Sequence, residues 1–396
     1  MSVLENAVMN SIKKHLPLIV FVFVTVLSFI LRIQQFRVIS SDMSLFLIPW
    51  MQTIRENGGF AAFKMSIGDY GVQYMTLMAA LSYLPFKTTA LIKSISIVFD
   101  FVGAGAAAYL VSLFTHSKEK RKIVFLSVYG VVLCIPTVWL NSAVWGQCDF
   151  MYTSFLLLWL VAFAKEKYTH GVIWFSLAFI LKFQTVFFLP ALIVFYFVSR
   201  RFSALNFLLV PGIYALTSIP AIIAGRPMGE VFSVYVNQID TYQDLTLNCP
   251  NIYYWFPIDF VNFRPLGVLL TFCILAIGCV CYAEHRDSVE KWDIIWFTLW
   301  VSFTCVMFLP AMHERYFFPV EILLLVASFI KNRNWLVTVT IISASVICYV
   351  AFLFNTSLII SRDILAFFTF GAYAIFTLQH FSELVDTKTL SAADSP

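Results

Sequence analysis

Apolar runs about as long as a membrane crossing follow one another through nearly all of this chain, and that succession decides what it can fold into. A helix needs about twenty apolar residues to cross the hydrocarbon of a bilayer, and fewer where it ends inside protein. On that criterion spans fall near 16–37, 90–114, 123–140, 150–164, 171–182, 186–199, 204–224, 265–283, 292–309, 318–330, 335–353 and 359–378. With 60% hydrophobic and 12% charged residues, the chain lies far from a water-soluble domain, in which about 25% of residues are charged. The expected fold is an all-α polytopic membrane protein with about twelve transmembrane helices (roughly eleven to thirteen). Residues 1–380 read as a single integral membrane domain, and 381–396 as a polar tail, disordered from Asp386.

The placement of Lys and Arg orients the spans. Lys13-Lys14, the Lys118–Lys122 cluster, Lys165 and Lys167, Arg200-Arg201, Arg286 and Lys291, and Lys331 and Arg333 alternate with cation-poor loops. With Lys388 of the tail, fifteen cations then face the cytoplasm and eight face outside, which puts both termini in the cytoplasm of a multi-pass cell-membrane protein. The first run follows Lys13-Lys14 without a small-residue cleavage site, so it reads as a membrane helix and not as a cleaved signal. Tyr74–Phe86 is apolar but short. Counting it as a crossing would move the Lys118–Lys122 cluster outside, so it reads as a re-entrant or interfacial helix closing a large outer loop, 38–89. A second outer loop covers 225–264. The eight cysteines show no CxxC and no Cys/His spacing suited to zinc. Six lie in apolar runs, while Cys148 and Cys249 fall in outer loops, where a disulfide between them is open.

The chemically informative residues collect on the outer face. Between Pro310 and Pro319, His313-Glu314-Arg315-Tyr316 sets an imidazole, a carboxylate, a guanidinium and a phenol in four consecutive positions. His313 is the only histidine of six that falls outside. Ser40-Ser41-Asp42 lies beyond the first span, ahead of Met43–Arg55, which reads as an amphipathic helix along the membrane with Ser40 or Ser41 as N-cap and a kink at Pro49. Gly68-Asp69-Tyr70-Gly71 makes a turn, and Trp145-Gly146-Gln147-Cys148-Asp149 follows the third span with Tyr152 one turn on. Lys182 and Gln184 interrupt the apolar stretch 171–199, so two half-length helices are expected to meet there at a polar tip. The second outer loop carries Asp240, Asp244, Asn248, Asn251 and Tyr253-Tyr254-Trp255. Within the spans, Lys93 and Asp100 read as a structural pair seven residues apart.

Plainer roles stay open to most of these side chains. Asp42 and Asp149 suit helix caps, Asp69 a turn, Lys182 and Arg315 snorkelling, and Trp145, Tyr316 and the 253–255 run an interfacial aromatic belt. The clustering at one surface is the stronger signal. A transporter buries its charges near the midplane, whereas this layout suits a site taking one reactant from lipid and another from water.

The order of these elements resembles the C-type (GT-C) membrane glycosyltransferases, and within them bacterial relatives of the mannosyltransferases that build GPI anchors. The likeness rests on Asp42 in the first outer loop, Trp-Gly-Gln-x-Asp at Trp145–Asp149, Lys-x-Gln at Lys182–Gln184 and His-Glu-Arg-Tyr at His313–Tyr316, and it covers about residues 16–330. It implies a polyprenyl-phosphate donor carrying mannose or another hexose, presented from the membrane lipid. The acceptor it implies is a lipid-linked or cell-envelope glycan on the extracytoplasmic face. Asp42 is then the general base, as members of the family place a catalytic aspartate at this point, with Asp69 in reserve.

Transfer of a sugar from a lipid phosphate to a hydroxyl needs a carboxylate to take the proton and cations to meet the charge on the departing phosphate. Lys182, His313 and Arg315 are the candidates for the phosphate. Gln147, Asp149 and Glu314 would hold sugar hydroxyls or position the cations, while Trp145, Tyr152 and Tyr316 offer flat faces to a ring or to isoprene units. No phosphate-cradling Gly-rich loop and no DxD pair occurs (Asp240 and Asp244 are too far apart), which speaks against a nucleotide-sugar donor. No carboxylate cluster has metal-ligand spacing, so a metal-independent inverting reaction without cofactor is expected, and no nucleic-acid partner. The competing classes are a lipid-linked oligosaccharide flippase and a polysaccharide polymerase or ligase.

Overall fold

The computed structural model describes residues 3–238, 242–256, 259–286, 289 and 292–393, with side chains within 15–385. Asp240 and Lys291 lie outside the described residues. In chain order the helices are α1 (Val3–Ile33), α2 (Ile48–Glu56), α3 (Val72–Ser82), α4 (Thr88–Ser112), α5 (Lys118–Cys134), α6 (Pro136–Trp139), α7 (Asp149–Ala164) and α8 (Tyr168–Leu181). The second half adds α9 (Leu189–Ser199), α10 (Leu209–Ile223), α11 (Met228–Gln238), α12 (Phe260–Glu284), α13 (Asp293–Phe308), α14 (Phe318–Lys331), α15 (Trp335–Leu353) and α16 (Arg362–Ala393). Every one of the twelve apolar stretches is helical. Strand is confined, among the described residues, to β1 (Thr246–Leu247) and β2 (Met312–His313).

Among the described residues six helical segments are long and apolar enough to cross a membrane: His15–Arg37, Thr88–Ser112, Ala204–Ile223, Phe260–Glu284, Trp335–Leu353 and Arg362–Val385. The pair Lys118–Cys134 and Pro136–Trp145, bent by 57° where Pro136 removes a backbone donor, makes a seventh. This is an all-α polytopic membrane protein. Its surface agrees, because α1, α10 and α12 turn bare Leu, Ile, Val and Phe side chains outward, among them Phe23, Leu216 and Leu269. Contiguous apolar surface on that scale belongs in lipid and not in water.

The remaining expected spans are shorter. At about 1.5 Å per residue, a helix of fourteen to sixteen residues such as α14 or α13 reaches about 21–24 Å, short of the roughly 30 Å of a hydrocarbon core. Three of them are interior helices. Almost every residue of α7, α13 and α14 is buried, as an all-round apolar helix requires. The α4–α7 contact is close enough that a Cβ on Gly103 would stand 2.3 Å from the Phe150 ring.

The expected ionic pair changes partners. Asp100 does not pair with Lys93: it takes Arg32 Nε at 2.6 Å and Ser142 Oγ at 2.5 Å. Lys93 instead donates to the carbonyls of Gln35 (2.8 Å) and Val38 (2.5 Å), just past the end of α1. The reason is level. Two turns separate the residues on α4, so Arg32 near the end of α1 meets Asp100, while the Gln35 and Val38 carbonyls beyond that end meet Lys93.

Three segments gather at one end of the bundle. In the loop 38–89 Ser40 Oγ accepts from Met43 N (3.2 Å), so Ser40 is the cap, and it donates to Trp145 O (2.7 Å). The helix that follows is π-wound over Met43–Leu47, just before Pro49, and buries Met43, Leu47, Met51 and Ile54 along one face. Arg55 binds the carbonyls of Ser82, Leu84 and Phe86, tying α2 to the turn after α3. The apolar segment Tyr74–Phe86 thus enters the structure as α3 with its closing turn, and Gln73 anchors it to Ser218 of α10 at 2.9 Å. The loop 225–264 joins the His313 stretch directly, through β1 and β2 pairing in parallel with Leu247 opposite His313.

Tyr253 and Tyr254 are buried, and Tyr253 donates to Phe308 O at 2.7 Å, so these two pack inward, while Trp255 stays partly exposed and donates to Asp363 O at 3.0 Å. Cys148 and Cys249 are buried free thiols, unbridged. Helix α16 runs through Ala393.

Candidate functional site

The site is assembled from three breaks in helical structure. The first is at Lys182, whose extended backbone (φ −151°, ψ 128°) separates α8 from the 3-10 turn Phe183–Phe188. This is the polar interruption expected within 171–199. Its ammonium donates to Asp149 Oδ1 and lies 5.7 Å from the centre of the Tyr152 ring. Asp149, at the start of α7, accepts from Asn141 Nδ2 at 2.7 Å through its other oxygen. Both members of this ion pair are buried. Lys182 therefore already has a carboxylate partner.

The second break is the turn at Gly146, whose φ of +80° is strained for any side-chain-bearing residue and whose Cβ would meet Met43 Sδ at 2.7 Å. That turn lets its two neighbours reach one carboxylate. Trp145 Nε1 (2.9 Å) and Gln147 Nε2 (2.8 Å) both donate to Asp42 Oδ2. Gln147 in turn accepts from the Tyr70 hydroxyl at 2.9 Å. Trp145 is fully buried against Tyr349 and Phe352, so it is no belt residue.

The third break is the His313–Tyr316 stretch, entered through Ala311 at φ +59°. Arg315 Nη2 stands 4.0 Å from Asp42 Oδ2, and the guanidinium carbon lies 5.5 Å from the centre of the Trp145 ring. Its Nε and Nη1 are buried with no hydrogen-bond partner among the described residues. Burial works against the Arg315 charge, but the fields of Tyr70, Asp149 and Asp42 outweigh it and hold its pKa above the ordinary range. Tyr316 accepts from Gln184 Nε2 at 2.7 Å.

Around Arg315 the electrostatics follow from burial. The Glu314 carboxyl is pushed up to about 7 by desolvation, with Arg315 partly offsetting it. His313 is driven well below the usual histidine range by burial, then by Arg315 and Lys182. It is a neutral imidazole at pH 7, with an unpartnered buried Nε2, so it offers a hydrogen bond in place of the cation expected from the sequence. Shielding by the cavity walls raises Asp69.

These groups line a cavity of two lobes that share Asp69, Tyr70, Tyr242, His313 and Arg315. The larger lobe, about 320 Å³, adds Asp42, Trp145, Gln147 and Glu314. The smaller, about 210 Å³, adds Lys182, Gln184 and Tyr316. Asp149 and Tyr152 line neither lobe; they sit behind Lys182 and hold it. Among the described residues no group of three or more His, Cys, Asp or Glu side chains is arranged to hold a metal ion.

Four residues were missed at the sequence level. Tyr70 was seen only as part of a turn, although it follows Asp69 directly. Tyr242 reaches the site because β1 carries its loop back to β2. Asn141 lies inside an apolar run, as does Glu321, a fully buried carboxylate on α14 that accepts from Thr137 at 2.5 Å. A single polar residue in such a run was the available signal. Comparison of the chain with protein-family models, curated proteins and solved structures returned no match.

Proposed function

We propose that this chain is a GT-C-type membrane glycosyltransferase that moves one hexose, mannose or a close relative, from a polyprenyl phosphate to a lipid-linked or cell-envelope glycan. The observation that carries this reading is the juxtaposition of Asp42 and Arg315 on one cavity: a carboxylate fixed through one oxygen beside a guanidinium with two unpartnered donors. In this reading the chain crosses the cell membrane twelve times, both termini are cytoplasmic, and the cavity opens on the extracytoplasmic side.

The chemistry follows from that pairing. With Oδ2 held by Trp145 and Gln147, Asp42 presents Oδ1 to the acceptor hydroxyl and takes its proton. The hydroxyl oxygen bonds to the sugar's anomeric carbon from the side opposite the phosphate. The carbon–oxygen bond to phosphate breaks, and its electron pair leaves on the polyprenyl phosphate, so the configuration inverts. Arg315 meets the charge that grows on that phosphate, in surroundings where a fixed donor is worth more than in water. His313 adds one neutral hydrogen bond, and Asp69 is the reserve base.

The test uses purified protein in nanodiscs with a short-chain polyprenyl-phosphate mannose and a membrane lipid extract. Release of polyprenyl phosphate that depends on the extract and survives EDTA supports the reading. Loss rescued by Mn²⁺ or Mg²⁺ overturns its metal-independent form. No turnover of mannose, glucose or galactose donors overturns it in favour of a flippase or of a polymerase or ligase.

A further inference from the structure

At the end of the bundle remote from Asp42, a second cavity of about 570 Å³ opens between α1, α4 and α5. Helix α1 places it there: Leu18 lines this cavity, while Arg32, fourteen residues on, binds Asp100 at the level of the site end. At about 1.5 Å per residue those two levels are about 21 Å apart. The deep part is apolar, walled by Leu18, Phe21 and Phe125, and the Phe21 ring is 4.9 Å from that of Tyr129. The rim is cationic, formed by Lys118, Arg121 and Lys122.

Those cations are exposed. Arg121 donates to Thr115 O from Nε (3.2 Å) and Nη2 (3.0 Å), and among the described residues Lys118 and Lys122 show no hydrogen bond or ion pair. Glu119 is the one acid of the five-residue run, which keeps a net charge of +3. Tyr109 lines the cavity as well, and its hydroxyl accepts from Lys165 Nζ at 3.0 Å, adding a further cation at this end. An apolar slot facing lipid beneath a cationic rim is complementary to an acyl chain below an anionic head group.

We infer that this cavity binds one anionic phospholipid, with its acyl chain between α1 and α5 and its phosphate at Lys118, Arg121 and Lys122. Charge complementarity selects this occupant: a zwitterionic lipid would leave the rim unmatched, and a free anion would leave the apolar slot unfilled. The inference does not depend on the glycosyltransferase reading.

The test is native mass spectrometry of the full-length, delipidated protein titrated with dioleoyl phosphatidylglycerol or dioleoyl phosphatidylcholine. One phosphatidylglycerol should be retained about tenfold more tightly than phosphatidylcholine, since a few surface cations contribute on that scale. The triple variant Lys118→Gln, Arg121→Gln, Lys122→Gln should lower phosphatidylglycerol to the phosphatidylcholine level. Leu18→Trp, which fills the slot and keeps every charge, should lower retention of both lipids and guards against misfolding of the triple variant. Equal retention of the two lipids by the wild type overturns the inference. Displacement of phosphatidylglycerol by inorganic phosphate, or a wild-type dimer that the Leu18→Trp variant dissociates, overturns it in favour of a free-anion site or a contact between copies.

Discussion

Lys182 and Asp149, 33 positions apart in sequence, form a buried ion pair behind the cavity, with Asn141 holding the second carboxylate oxygen and the Tyr152 ring beside the ammonium. A lysine so held acts on the site through its charge and its fixed position. Removing one partner strands the other in an apolar interior, which costs about 3–5 kcal/mol. Lys182→Met should therefore destabilise the protein on that scale in denaturant unfolding in detergent micelles. Adding Asp149→Asn should cost less than the sum of the two single changes, by about 1–3 kcal/mol. Strict additivity would show that the two are not coupled.

Gly146 sets the geometry of Asp42 without touching it. Gly146→Ala meets both a positive φ and the Met43 sulfur, so it should cost about 1–3 kcal/mol. Because Trp145 and Gln147 flank the turn, donor turnover should fall further than stability alone explains, at temperatures where the variant is still folded. Unchanged turnover in a folded Ala variant would separate the turn from the carboxylate it orients.

Glu314 and His313 give opposite pH dependences. Glu314 holds its proton up to about 7 when folded, against a usual 4.5. Between those values the folded state binds more protons, so stability falls as pH rises through the window and levels off above it. Glu314→Gln should match wild type near pH 4.5 and gain on it up to pH 7, by as much as about 3 kcal/mol. His313 has a lowered pKa, so the unfolded chain takes up its proton first and stability is lost as pH falls below about 6.5. His313→Asn should remove that acid loss. Melting curves of each variant minus wild type across pH 4.5–8 test both signs, and flat differences contradict them.

Arg315 offers more than a charge. Its planar fork carries donors in several directions, which a lysine cannot reproduce. Arg315→Lys should lower donor turnover by about 100-fold, on the scale seen when one positioned donor is lost, and Arg315→Met should lower it further. A lysine variant with wild-type turnover would reduce the role of Arg315 to net charge.

Composition and hydropathy made the helical framework legible, since every apolar run became a helix and the lone polar interruption at Lys182 became a break. The two polar motifs at Trp145 and His313 were legible for the same reason, because charged groups cluster where apolar runs end. Partner choice was not. Which of Lys93 and Arg32 reaches Asp100, and that Lys182 meets Asp149, depend on how far helices slide and rotate against one another. Glu321 and Asn141 were hidden by the apolar residues around them, and Tyr242 by a two-residue strand too short to carry a pattern.

Asp42 carries the central claim. The direct measurement compares wild type and Asp42→Asn in nanodiscs for release of polyprenyl phosphate from a short-chain polyprenyl-phosphate mannose, with acceptor lipid present. Asn keeps an oxygen for Trp145 and Gln147 but cannot take the acceptor's proton, so release should fall by at least about 100-fold while the melting temperature stays near that of wild type. Equal release by the two proteins would contradict Asp42 as the base and move that role to Asp69.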